Sequence, residues 1–390
     1  MGAPPNANWN YPTSVRFGAG RLAELPAACD TLGIRRPLLV TDRGLASAAM
    51  TTQALQALAS ADKTAGLFSD VQGNPVGENV EAGVRMLREG GHDGVVALGG
   101  GSALDAGKAI AMMAGQLRPL WDFEDREDWY TRVDTAAMVP VVAIPTTAGT
   151  GSEVGRASVI TDERTHTKKI IFHPRMLPAL VILDPLLTVA LPARITAATG
   201  MDALSHCLEA WCAPGFHPMA DGIALEGMRL VREWLPRAVA DGTDVAARAH
   251  MLVASSMGAT AFQKGLGAMH SLSHPLGARL DLHHGLCNAV VMPYVLDWNR
   301  AAIGERASRL ARYLDLPGTG VDALIDWVLA LRASTGIPHT LGEIGVRDDH
   351  AAALAPEALA DPSTGGNPVA IDESGFRELY LRCIRGELRA

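Results

Sequence analysis

The sequence predicts two domains: an α/β domain over residues 1–188, a parallel sheet with flanking helices, and an all-helical domain over residues 189–390. Three observations carry this expectation. Short apolar runs alternate with amphipathic stretches in the first half, while helical spacing dominates the second. Asp184-Pro185 and Leu191-Pro192 punctuate the chain where the character changes, near residues 185–192. A chain of 390 residues can bury two separate cores.

The elements follow in order. Residues 37–41 (Pro-Leu-Leu-Val-Thr) read as a buried strand, and residues 94–98 (Gly-Val-Val-Ala-Leu) as a second. Residues 139–144 read as a third, ended by Pro145. Between the first two, residues 80–88 have helical spacing. Strands apolar on both faces, alternating with helices, predict a covered parallel sheet. Helical patterns then span residues 195–212, 219–238, 246–262 and 321–334, and residues 362–368 read as a polar Gly/Pro-rich loop.

Composition excludes several classes. A formal charge of −8, with no basic run interleaved with aromatics, gives no drive toward nucleic acid. No run approaches 18 apolar residues, so no membrane partner is expected. Cys29, Cys207, Cys212, Cys287 and Cys383 are odd in number, widely spaced and free of any C-x-x-C, which argues against disulfides and fits a reducing compartment. Residues 1–10 are polar and lack an apolar core, and Pro5 and Asn6 stand where a myristoylation signal would carry Ser or Thr. The expected location is the cytoplasm.

The strand at 94–98 runs into Gly99-Gly100-Gly101-Ser102 and then a helical pattern over 103–113. That order places backbone N–H groups and a helix N-terminus where a diphosphate can sit, with Ser102 as a capping residue, Asp105 in the first turn and Lys108 on the same face. Alone, the triple glycine reads as a tight turn, and it is not G-x-G-x-x-G. A second loop after a buried strand, Thr146-Thr147-Ala148-Gly149-Thr150-Gly151-Ser152-Glu153, adds three threonine hydroxyls suited to a cofactor in an α/β crevice, so the pair points to a nucleotide site. Asp42, just after the first strand, can accept from ribose hydroxyls and repel a 2′-phosphate, or can cap the turn before Gly44.

In the second half, Asp202 and His206 are four apart in a helical pattern, as are His270 and His274, and His283-His284 follow. Four of the twelve histidines thus fall within fifteen residues. Imidazoles with one carboxylate suit Zn²⁺ or Fe²⁺, not Ca²⁺ or Mg²⁺. Three or four such ligands with an open position make a Lewis-acid catalytic site. Spacing alone does not say which histidines bind.

These motifs, in this order from about Phe17 to Pro293 with a weaker echo at residues 361–368, resemble the iron-containing (group III) alcohol dehydrogenases. The resemblance implies a dehydroquinate synthase-like fold: an N-terminal dinucleotide-binding domain, a helical metal-binding domain, and a divalent metal held between them, iron above all, with zinc as the alternative. It implies Asp202, His206, His270 and His284 as ligands, with His274 lining the site as a proton relay or as an orienting neighbour. The candidate cofactor-binding residues are Asp42, Asn74, Gly100, Gly101, Ser102, Asp105, Thr146, Thr147, Thr150 and Lys168, for NAD. Val369 stands where many relatives carry arginine.

The expected activity is hydride transfer between NAD(H) and a primary alcohol, diol or aldehyde. The expected partners are that small molecule and further copies of the chain, as a homodimer or larger homo-oligomer. Rival readings are a hydroxy-acid or glycerol-type dehydrogenase of the same fold, and a nucleotide-binding regulator that has lost catalysis; the intact ligand set argues against the last. Residues 154–160 read as an extended segment with Gly155 and Ala157 on one face and Arg156 on the other. The resemblance turns the small pair toward the substrate, which predicts room for alcohols longer than ethanol. An inward Arg156 would instead recruit an anionic substrate.

Overall fold

The computed structural model describes residues 7–9, 13–165 and 167–388. The N-terminal residues read above for targeting lie largely outside that set. Two compact units divide the chain, Met1–Ala190 and Leu191–Ala390. No helix of the described residues is long and apolar enough to cross a membrane.

The first unit is built on a sheet of β1 (Ala7–Trp9), β2 (Ser14–Phe17), β3 (Pro37–Asp42), β4 (Gly66–Val71), β5 (Gly94–Gly99), β6 (Val141–Pro145) and, after a separate hairpin of β7 (Ala157–Asp162) and β8 (Thr167–Phe172), β9 (Leu180–Leu183). The spatial order is β1-β2-β9-β6-β5-β3-β4, parallel throughout except for the β1 edge. The helices of this unit are α1 (Leu25–Thr31), α2 (Ala49–Ser60), α3 (Gly77–Glu89) and α4 (Gly101–Met113). Leu39, Val96, Leu98, Val142, Ile144 and Ile182 bury one sheet face with α1 and α2. On the other face α4 lies so close that a Cβ at Gly107 would stand 2.6 Å from that of Ala97. Central strands covered on both sides must be apolar at every position, which is why 95–98 is fully buried.

The expected strands are present with slightly longer C-terminal ends. The segment read as extended from residue 154 is different: Ser152–Val154 form a 3₁₀ turn and the strand starts at Ala157.

The helical unit comprises α5 (Ala193–Cys212), α6 (Pro218–Ala240), α7 (Val245–Ala261), α8 (Ala268–Leu280), α9 (His284–Trp298), α10 (Arg300–Tyr313), α11 (Gly320–Thr335), α12 (Ala351–Ala360) and α13 (Glu373–Arg385). Helix α5 is its axis: every residue from Thr196 to Cys212 is buried, packed against α6, α7 and α9. Small residues permit that crowding. A Cβ at Gly200 would meet Leu235 at 2.2 Å, and one at Gly227 would meet Cys207 Sγ at 2.6 Å. A helix buried all round cannot show a one-sided apolar stripe, and its polar residues must find partners inside.

Candidate functional site

In the first unit the chain steps from β3 outward to β4 and returns to β5 on the other side, so the carboxyl ends of β3 and β5 flank a topological switch point, where open α/β sheets bind ligands. Asp42 ends β3 and Gly99 ends β5. They are neighbours: a Cβ on Gly99 would lie 3.3 Å from Asp42 Oδ2 and 2.7 Å from Ala103 Cβ. With φ near 150° as well, that position excludes any side chain. Asp42 Oδ1 accepts the Leu45 N–H at 3.0 Å, so the carboxylate holds its own turn and keeps Oδ2 toward Gly99.

The two loops meet. Thr146 N–H donates to the Gly99 carbonyl at 2.9 Å. A Cβ at Gly101 would collide with Thr150 at 2.5 Å, and Gly100 faces Thr147. Helix α4 starts at Gly101 with Gly100 as its cap, which corrects the role expected of Ser102. Ser102 is already inside the helix, and its hydroxyl donates instead to the Gly73 carbonyl, tying α4 to the loop that carries Asn74. Asp105 lies beyond the first turn. Its oxygens accept from the Ser152 hydroxyl at 2.5 Å and the Val159 N–H at 3.0 Å, and it pairs with buried Lys108 at 3.1 Å. It braces the second loop and the hairpin against α4. Lys168 sits on β8 opposite Thr161, whose N–H donates to Pro75 beside Asn74.

The helical unit gathers the histidines. One turn separates Asp202 from His206 on α5, and Gly258 of α7 leaves space there, its Cβ position being 3.0 Å from His206 Cβ. His270 is the third residue of α8 and His284 the first of α9. One donor atom from each of Asp202, His206, His270 and His284 lies within 4.8 Å of the others. The first three are buried, and His284 keeps a side-chain exposure of 24%. A carboxylate and three imidazoles in this spacing fit a single Zn²⁺ or Fe²⁺ with bonds of about 2.0–2.2 Å.

His274 and His283, left open by spacing, lie outside the group of four converging donors. His283 caps α9, its Nδ1 accepting the Leu286 N–H at 3.4 Å. His274 stacks on His284 with centroids 5.2 Å apart, and its Nδ1 lies 2.7 Å from Asp361 Oδ2. Burial works to raise the Asp361 carboxyl, but the charge and hydrogen bond of His274, with Ser363, hold it below the usual carboxylate range.

Three neighbours went unread in the sequence. Glu209 on α5 bonds His270 Nδ1 at 2.5 Å. Asn288 on α9 donates from Nδ2 to Asp202 Oδ1 at 2.8 Å. Asp361 serves His274. Helical spacing could have found Asn288, which is one turn beyond His284. All five cysteines are buried and outside any disulfide, and burial pushes the thiol of Cys29 up to about 11 and those of Cys207 and Cys212 up to about 12.

The family model described as "Iron-containing alcohol dehydrogenase" matches residues 12–185, and that of the "Fe-containing alcohol dehydrogenase family, C-terminal" matches residues 196–384. The chain belongs to the iron-containing alcohol dehydrogenases. It is 41% identical to a 4-hydroxybutyrate dehydrogenase of Cupriavidus necator, covering 95% of this chain and 97% of the relative. It is 36% identical to an NAD-dependent methanol dehydrogenase of Bacillus methanolicus, covering 93% and 95%. The crystal structure of a 1,3-propanediol oxidoreductase superposes with a TM-score of 0.90 at 33% identity, covering 98% of this chain and 100% of that one.

Within this family member, close approach of α9 to α5 sets the position of His284. A Cβ at Gly285 would stand 2.5 Å from the Ala198 carbonyl oxygen and 3.0 Å from Asp202 Cβ. Gly285→Ala is expected to displace the start of α9, costing about 1–3 kcal/mol of stability and weakening Zn²⁺ binding by roughly tenfold or more. Thermal unfolding and metal titration check both, and wild-type values in both would contradict this packing.

Proposed function

We propose that this chain interconverts primary alcohols or diols with their aldehydes, with the residues Asp202, His206, His270 and His284 as the seat of its divalent metal. The observation that carries the reading is the convergence of these four donors on one point. As an iron-containing family member the chain is an NAD-dependent alcohol oxidoreductase that uses a divalent metal. When bound, the metal supplies positive charge for the alcohol or carbonyl oxygen, and the nicotinamide exchanges the hydride. Iron is the proposed metal, with zinc as the alternative.

The chain's own residues do the rest. Asp202, His206 and His270 form the closed, water-poor side of the site, and partly exposed His284 marks the side that a substrate oxygen can reach. His274 stands beside His284 with Nδ1 engaged by Asp361, which leaves Nε2 to exchange a proton between substrate and solvent. In the other unit, the Gly99–Gly101 turn, Thr146, Thr147 and Thr150 are proposed to receive the dinucleotide diphosphate at the start of α4.

The enzyme is proposed to work in the cytoplasm as a homodimer or larger homo-oligomer. The five unbridged thiols support a reducing compartment, and light scattering that returned only monomer would remove the second half of the statement.

Coenzyme choice follows from Asp42. Its Oδ2 stands beside Gly99 at the switch point, where a 2′-phosphate would meet like charge. Asp42→Gly is expected to raise kcat/KM for NADP while leaving NAD use largely intact. A wild-type enzyme that already favours NADP would contradict this role.

For the substrate, residues of β7 alternate between buried Ser158 and Ile160 and half-buried Ala157 and Val159, with Gly155 on the half-buried side. Two small residues on that face support tolerance of longer alcohols. Arg156 is exposed and lies over the Phe172 ring at 5.8 Å. The second reading, an ω-hydroxy acid, is favoured by the relative named for 4-hydroxybutyrate. Two variants decide between them. Ala157→Leu should cut activity on long alcohols far more than on short ones, and Arg156→Ala should leave KM for neutral alcohols unchanged. A selective rise in KM for 4-hydroxybutyrate in the arginine variant, with no chain-length effect from the leucine, would reverse the choice.

A further inference from the structure

We propose that Glu209 is a positioning residue of the metal centre, holding the first turn of α8 with one carboxylate oxygen and fixing the His270 tautomer with the other. The inference rests on the metal-site reading above and concerns how one ligand is presented.

Glu209 is 5% exposed, in the last turn of α5 within its buried stretch Thr196–Cys212, so its carboxylate must be satisfied within the protein. It is. Oε1 accepts the Met269 N–H at 2.7 Å, one of the backbone donors that the start of α8 cannot use internally. A carboxylate there also meets the positive end of the helix dipole. Oε2 lies 2.5 Å from His270 Nδ1. Both oxygens are therefore engaged, and Glu209 is not among the converging donor atoms.

The consequence is electronic as well as steric. A carboxylate only accepts, so the proton of this bond belongs to Nδ1. A neutral imidazole has one N–H, which leaves a lone pair on Nε2. Glu209 thus selects the form of His270 that can ligate, and it sits on the helix that carries Asp202 and His206. Two turns of α5 set three quarters of the donor set, two directly and one through Glu209.

Glu209→Gln has nearly the same shape but one acceptor and one donor where the carboxylate has two acceptors. The Met269 N–H and the His270 Nδ1–H cannot both be satisfied. Either α8 loses its cap or the ring turns to the Nε2–H tautomer, placing a proton on the ligand atom. The full-length Glu209→Gln protein is expected to bind Zn²⁺ about 10–100-fold more weakly in a chelator competition, with an altered visible spectrum when loaded with Co²⁺ and an unchanged circular dichroism spectrum. Glu209→Asp, with both acceptors but a shorter reach, should fall between, and carries the test if the glutamine variant does not fold. In a His270→Ala background the glutamine change should add less than twofold to the loss. Zn²⁺ affinity and Co²⁺ spectrum like wild type, or an equal loss in the His270→Ala background, would overturn the proposal. Failure of the wild-type protein to bind Zn²⁺ or Co²⁺ stoichiometrically would instead remove the metal-site reading beneath it.

Discussion

Burying a carboxylate and three imidazoles at one point is costly unless something unites them, and the helical unit is arranged around that constraint. Asp202 and His206 are held on a helix with no exposed face, so they cannot relieve their desolvation by turning to water. Their position is fixed by small residues on the surrounding helices: Gly258 beside His206, Gly285 beside Asp202. Helices α8 and α9 both present their first turns, where backbone donors are unspent and anions are stabilised. That local field suits Asp202 and Glu209 and leaves the imidazoles to complete the set.

The α/β unit solves a different problem with a related device. Asp42 and the two hydroxyl- and glycine-bearing loops share one end of the sheet because parallel strands all deliver their carboxyl ends to the same edge. Close approach of Gly101 to Thr150 and of Gly99 to Asp42 makes the loops one surface. Asp105 and Lys108, both on α4, hold that surface from beneath through Ser152 and the hairpin. The glycines serve as contact points for the second loop, not as flexible spacers.

The sequence displays much of this, unevenly. The doubly covered strands β3, β5 and β6 are legible because burial on both faces demands an unbroken apolar run. Strand β4 is not, since its edge position allows Ser69 and Asp70 beside Phe68, and β9 is only four residues long. The candidate ligands stand out as the i,i+4 pair Asp202 and His206 and as part of a histidine cluster over 270–284, and the family resemblance selects among the histidines where spacing could not. Glu209 and Asp361 stay hidden for a physical reason. A carboxylate that serves a histidine 61 or 87 residues away leaves no local pattern, and a buried glutamate looks like a solvated one until the helix around it proves buried on every side. Ser102 misleads in the opposite direction: a hydroxyl at a helix start suggests a cap, but glycine already fills that role.

The central claim is that this one constellation binds one divalent ion and that the reaction depends on it. The most direct measurement is metal content and NAD-linked turnover of anaerobically purified wild type and His270→Ala, each reconstituted with Fe²⁺ and separately with Zn²⁺. The account predicts one ion per chain in the wild type, and loss of most metal and nearly all turnover in a variant that remains folded. A His270→Ala protein that keeps both its metal and its full activity would contradict it.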